Sequence, residues 1–94
     1  MVYVDWLCNH GWEMYGKRVQ SCHLMADRVE ELLDFGRKIG MKAGWIQGVV
    51  EVGRIPHFDL VASKRVLAVS LGAVELTRQT LLDVFHRLRQ KGAR

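Results

Sequence analysis

Short apolar runs alternate along this chain with longer stretches whose apolar residues recur every three or four positions. That alternation restricts the chain to a few architectures. Val2-Tyr3-Val4 is β-branched and aromatic and stops at Asp5, so it reads as a short buried strand. Ala43-Gly44-Trp45-Ile46 and Ala73-Val74-Glu75-Leu76 read as a second and a third. Met25, Val29, Leu32, Leu33 and Gly36 share one helical face, and so do Leu60, Lys64, Leu67, Ala68 and Leu71, with Lys64 contributing only its stem. Leu81, Val84, Phe85 and Leu88 form a third such face. The spacing predicts helices over 24–39, 60–71 and 78–90. Asp27 followed by Glu30 is a variant capping box, Gly40 and Gly72 stop the first two helices, and Thr77 caps the third.

Strand and helix in strict alternation imply an α/β chain with a short, mostly parallel sheet and right-handed crossovers. Three core strands make a thin sheet. A hairpin formed by 12–15 and 18–21 around Gly16-Lys17, and an edge strand over 49–52, are expected to widen it. The expected architecture is a small three-layer-like domain spanning 1–94, with three core strands, an edge hairpin and three helices.

Ninety-four residues are enough for one domain. A chain of this size buries roughly 60–65% of its unfolded surface. Apolar residues make up 49% and charged residues 26%, which argues against disorder. Two cysteines, Cys8 and Cys22, make no disulfide framework and favour a reducing compartment. No apolar run reaches the length of a membrane span, and Met1-Val2-Tyr3-Val4-Asp5 lacks the start of a signal peptide. A cytoplasmic location is expected by elimination. The net charge of +4 comes largely from the tail His86-Arg87-Leu88-Arg89-Gln90-Lys91-Gly92-Ala93-Arg94. Cations favour a helix C-terminus, and four spaced basic side chains are weak support for a nucleic-acid contact.

In open parallel sheets ligands bind beyond the carboxyl ends of the strands. Applied here, that rule gathers Asp5, His23, Gln47, His57, Asp59, Ser63, Lys64, Arg65 and Glu75 along one rim. Two helix N-termini beside Ser63, Lys64 and Arg65 would suit a phosphate or carboxylate. Each residue also has a plain structural role open to it. Asp59 could cap the second helix, Lys64-Arg65 could form a solvated face, and Glu75 could pair with a tail arginine. Trp6, Trp12 and Trp45 read more readily as core or groove wall than as base-stacking platforms.

Metal chemistry has two openings. Cys8, His10, Cys22 and His23 are of the right types for zinc but have no familiar zinc spacing. Asp5, Asp59 and Glu75 could hold magnesium, with His57 or His23 as general base. Cys22 beside His23 is poorly arranged for a thiolate nucleophile, because neighbours on a strand point to opposite faces. Glycine-rich dinucleotide and phosphate-loop motifs are absent.

The segments Val2-Tyr3-Val4-Asp5, Ser21-Cys22-His23-Leu24-Met25-Ala26-Asp27, Trp45-Ile46-Gln47, Pro56-His57-Phe58-Asp59-Leu60, Ser63-Lys64-Arg65 and Gly72-Ala73-Val74-Glu75 occur in that order. Over about residues 2–77 they resemble a domain-of-unknown-function family numbered 4031, made of short proteins from bacteria and their phages. The resemblance implies no activity. It implies that Asp5, Cys22, His23, Asp27, Gln47, His57, Asp59, Ser63, Lys64, Arg65 and Glu75 follow a family pattern. Phe58 stands where the resemblance leads one to expect tyrosine, and 48–55 looks variable.

Three functions remain open. The leading expectation is a binding module for a small anionic ligand, a nucleotide or phosphate-bearing metabolite, held by Lys64, Arg65 and the helix N-termini. The second is a metal-dependent phosphodiesterase or nuclease. The third is a structural or interaction domain that could form homo-oligomers. Ligand identity, cofactor and metal are open at this point.

Overall fold

A computed structural model describes residues 1–48 and 54–91 of the chain. Its elements are β1 (Val2–Val4), β2 (Cys8–Met14), β3 (Lys17–Ala26), α1 (Val29–Lys38), a single 3-10 turn over Ala43–Trp45, β4 (Phe58–Val61), α2 (Ala62–Ser70), β5 (Val74–Glu75) and α3 (Arg78–Lys91). The edge strand expected over 49–52 falls outside the described residues.

β3 organises the sheet. Leu24 pairs with Val4 on one side and Phe58 on the other, and Ser21 pairs with Cys8 and Val61 in the same way. β1 and β2 therefore follow one another along one edge of β3, and β4 takes the other edge. β5 lies outside β1 with Tyr3 opposite Val74, and this is the one parallel pairing in the five-stranded sheet. The sheet is thus mixed and mostly antiparallel, which overturns the expectation of a mostly parallel one.

The reason is visible in two segments. The helices expected over 24–39 and 60–71 lose their first residues to strands, since 24–26 belong to β3 and 60–61 to β4. Leu24 and Ala26 enter one core while Met25 enters the other, so both faces of β3 are apolar there. A continuous apolar run of this kind fits a doubly covered strand as well as a helix. The expected strand at 43–46 is instead the 3-10 turn, which leaves Trp45 half exposed. The expected hairpin is present but longer. Its Tyr15-Gly16 turn has positive φ at both residues, 53° and 75°, as a type I′ turn requires. Thr77 caps α3 as expected, its Oγ1 accepting from the Thr80 N–H at 3.3 Å. Asp27 does not cap α1, whose N-cap is Arg28. Gly40 and Gly72 end α1 and α2 at positive φ, 81° and 106°.

Period-2 alternation divides the sheet into two faces. Val2, Val4, Cys22, Leu24, Phe58 and Leu60 face α1 and α2, where Leu32, Ile39 and Ala68 close the larger core. Fully burying a side chain such as Phe58 or Leu24 stabilises by about 1.5–3 kcal/mol. Gly36 lets α1 approach β4, since a Cβ there would stand 2.7 Å from the Phe58 ring. Tyr3 and Met25 point to the opposite face, where Val84 and Leu88 bring α3 down on them and Leu76, just past β5, joins the cluster. Asp5, Ser21, His23 and Asp59 have the same parity as Tyr3 and Met25. They occupy the stretch of that face lying past α3. Among the described residues no helix is long and apolar enough to cross a membrane.

Candidate metal centre

Register brings the polar residues together. His23 on β3 and Asp59 on β4 are direct cross-strand partners. Asp5 continues the β1 register, its N–H donating to the His23 carbonyl at 3.3 Å. His57 precedes Asp59 by two residues and forms an isolated antiparallel bridge with Gln47. Asp5, His23, Asp59, His57 and Gln47 thus lie side by side across one sheet face, away from the rim that a parallel sheet would have offered.

Their hydrogen bonds fix the direction of each ring. Asp5 is nearly buried and takes two bonds from His23, the backbone N–H to Oδ1 at 2.6 Å and Nδ1–H to Oδ2 at 2.7 Å. His57 Nδ1 lies 2.8 Å from the Ile55 carbonyl, and since a carbonyl only accepts, Nδ1 carries the proton. In its neutral form each ring therefore presents a bare Nε2 lone pair. Gln47 Nε2 donates to Asp59 Oδ2 at 2.6 Å, which turns Asp59 Oδ1 toward the two histidines.

Asp59 Oδ1 stands 3.7 Å from His57 Nε2 and 3.9 Å from His23 Nε2, too far for hydrogen bonds. One ligand atom from each residue lies within 4.8 Å of the others, and no other such group of three exists among the described residues. Two imidazoles and one carboxylate around an ion at about 2.0–2.2 Å would stand roughly 3.0–3.6 Å apart, so a small closure completes the site. A histidine whose other nitrogen is held by a carboxylate or a carbonyl is the usual support of a metal ligand. Before any ion binds, the Asp5 hydrogen bond raises the His23 pKa above its ordinary value, outweighing burial, which lowers it.

A family model described as "Protein of unknown function (DUF4031)" matches residues 2–90. The chain belongs to the DUF4031 family. Comparison with curated proteins and with solved structures gave no match. The residues that assemble the centre in this DUF4031 chain all lie inside the matched span.

Ser63, Lys64, Arg65 and Glu75 are not drawn into the centre. Ser63 is exposed in the first turn of α2. Lys64 Nζ donates to the Ile39 carbonyl at 2.6 Å. Arg65 Nε donates to the Asp5 main-chain carbonyl at 2.8 Å and Nη1 to Glu75 at 2.9 Å, so Glu75 pairs with Arg65 instead of a tail arginine. The carboxylate trio of Asp5, Asp59 and Glu75 does not assemble: Asp5 is committed to His23 and Glu75 to Arg65. Asp59 is a strand residue and does not cap α2.

Cys22 faces the larger core, and burial pushes its thiol up to about 12, so it presents no thiolate. His10 was left out of the sequence-level site. It contacts Ser21 Oγ through Nδ1 at 2.8 Å, with its ring 5.2 Å from that of His23. Its signal was parity: once 8–14 is a strand antiparallel to β3, His10 falls beside Ser21 and His23.

Proposed function

We propose that this domain binds a divalent transition metal through His23 Nε2, His57 Nε2 and the Asp59 carboxylate, and uses it to hydrolyse an anionic phosphoester. The observation that carries this reading is the convergence of one ligand atom each from His23, His57 and Asp59, all within 4.8 Å of one another. With both rings neutral, these atoms are all acceptors and repel one another unless a cation lies among them. Two nitrogens and one oxygen suit zinc, iron(II), cobalt or manganese better than magnesium, which favours all-oxygen ligation. Three protein ligands leave coordination positions open, which separates catalytic sites from closed structural ones.

A metal held by His23, His57 and Asp59 would lower the pKa of a bound water and polarise a phosphoryl oxygen. Hydrolysis there would form a bond from the water oxygen to phosphorus and break the ester P–O bond, the proton lost by water ending on the departing oxygen. The chain's own contribution is orientation: Asp5 and the Ile55 carbonyl hold the two rings, and Gln47 holds the carboxylate. This reading unites the expected anionic ligand with the expected metal-dependent phosphodiesterase, and moves the ligand set from three carboxylates to two histidines and one. Cobalt(II) titration followed by visible absorption, with bis(p-nitrophenyl) phosphate as substrate, tests it. A micromolar Kd with a tetrahedral or five-coordinate spectrum is expected. No cobalt or zinc binding by the folded protein would overturn it.

A further inference from the structure

Two cavities meet at the triad, and their linings differ. His23 and His57 line the first, of about 150 Å³, together with Phe85, Arg54 and Arg89. Asp59 and Gln47 line the second, of about 490 Å³, whose walls are otherwise Trp12, Met14, Met41, Trp45, Val61 and Lys64. Asp59 Oδ1 is within 3.9 Å of both histidines, so the wall shared by the two cavities is the proposed metal centre itself.

The apolar groove is not a core defect. Trp12 is 41% and Trp45 50% exposed, so two indoles are left in water flanking one cleft. Large aromatics at a concave surface mark ligand contact more often than chance exposure does. The groove's volume is in the range of small-ligand sites, roughly 300–1,000 Å³. Aromatic faces with a few polar groups at one end hold a flat heterocycle by stacking, and Gln47 and Lys64 supply those polar groups. Arginines on the far side of the triad suit a phosphate, since the guanidinium fork matches its oxygens.

From this arrangement we infer that the substrate class is a nucleoside phosphate: the base lies between Trp12 and Trp45, and the phosphate reaches across the metal toward Arg54 and Arg89. The inference rests on the metal-centre reading and adds the substrate to it. A free nucleotide and the end of a single strand share this chemistry.

Isothermal titration of zinc-loaded protein with inorganic phosphate, uridine, uridine monophosphate and a short oligothymidylate tests the assignment. Tryptophan fluorescence serves as a second readout. The nucleotide is expected to bind at least about tenfold more tightly than phosphate or the nucleoside alone and to quench the indoles, given the strength of base–aromatic stacking. Trp12→Leu and Trp45→Leu alter half-exposed side chains. Each is expected to weaken nucleotide binding about tenfold while leaving the zinc Kd unchanged. Arg54→Ala and Arg89→Ala are expected to weaken nucleotide and phosphate alike and to leave the nucleoside unaffected. Tighter binding of the oligothymidylate than of the nucleotide identifies a strand end as the source, and the reverse a free nucleotide. If zinc binds but phosphate and nucleotide bind equally, the base assignment is overturned and the metal centre stands. If zinc does not bind, the parent reading has failed, and a nucleotide that still quenches Trp12 and Trp45 locates the base groove independently of it.

Discussion

The same sheet face carries two polar clusters, and they are built on opposite plans. Beneath α3, Asp27 accepts from the Tyr3 hydroxyl at 3.0 Å and from Arg87 Nη1 at 2.6 Å through Oδ1, and from the Met1 amine at 3.1 Å through Oδ2. Arg87 Nη2 also donates to the Tyr3 hydroxyl at 2.7 Å, so every polar atom meets its complement. Beyond α3, the outer atoms of Asp5, Gln47 and the Ile55 carbonyl are matched in the same way, but the inner atoms of His23, His57 and Asp59 face one another as acceptors. The first cluster pairs donors with acceptors, whereas the second brings together three atoms that the proposed cation would join. Titratable residues packed together do not by themselves mark a site. The balance of donors and acceptors at the centre of the cluster does.

The largest effect that can break this contrast comes from the inner ligands. His57→Ala or Asp59→Ala is expected to weaken zinc or cobalt binding by more than about a hundredfold, since changes to mere outer-shell partners already cost 10–100-fold. Arg87→Ala, in the complete cluster, should leave metal affinity within about twofold of wild type, because it touches no proposed ligand. Equal losses from His57→Ala and Arg87→Ala, with the folds intact by circular dichroism, would mean that the two clusters do not differ in kind.

A second pair of variants compares the outer supports. Asp5→Asn keeps the size of the side chain but offers an amide N–H₂ or a single carbonyl where His23 needs two acceptors. Once the Asn carbonyl takes the His23 backbone N–H, its amide points at Nδ1. The ring must then move its proton to Nε2, which removes the lone pair aimed at the metal. Metal affinity is expected to fall about 10–100-fold. Asp27→Asn should cost about 1–3 kcal/mol in chemical denaturation, through partners left with weaker bonds, and leave the metal Kd unchanged. Tyr3→Phe removes one shared hydroxyl from the same cluster and should cost about 1 kcal/mol. A metal defect in Asp27→Asn would join the two clusters into one network.

The members of the site were legible in the sequence, and its geometry was not. Asp5, His23, Gln47, His57 and Asp59 are polar residues embedded in apolar runs, so they stood out. Placing them at the mouth of a parallel sheet put them together for the wrong reason. What joins them is antiparallel register, which depends on reading 24–26 and 58–61 as strand. Leu24, Met25 and Leu60 fit helical spacing because both faces of the sheet are covered, and periodicity cannot separate the two cases. Lys64 and Arg65 misled for a related reason. With 58–61 in the sheet, α2 begins directly after β4 and packs on the opposite face, so both cations go to main-chain carbonyls. Arg89 could not be found from spacing at all, since its approach to the histidines depends on where α3 docks.

The smallest predicted effect is also the one with opposite signs in the two clusters. Asp27 feels burial, which alone would raise its pKa, but the Met1 amine, the Tyr3 hydroxyl and Arg87 outweigh it and hold the carboxyl below 3.8. A lowered acid contributes stability that is present above its unfolded value, so this contribution should fade as pH drops below 3.8 through the folded value. His23 is raised above 6.5, chiefly by the Asp5 hydrogen bond. In metal-free protein its contribution is present below 6.5 and should fade as pH rises through the folded value. Melting temperatures of metal-free wild type, Asp27→Asn and Asp5→Asn across this range separate the two. Asp27→Asn should flatten only the acid limb, and Asp5→Asn only the limb above 6.5. Zinc should reverse the second slope, because His23 must be deprotonated at Nε2 to serve as a ligand, and metal stabilisation therefore grows with pH. A neutral-side slope that keeps its sign when zinc is added would place the metal, if it binds, on residues other than His23.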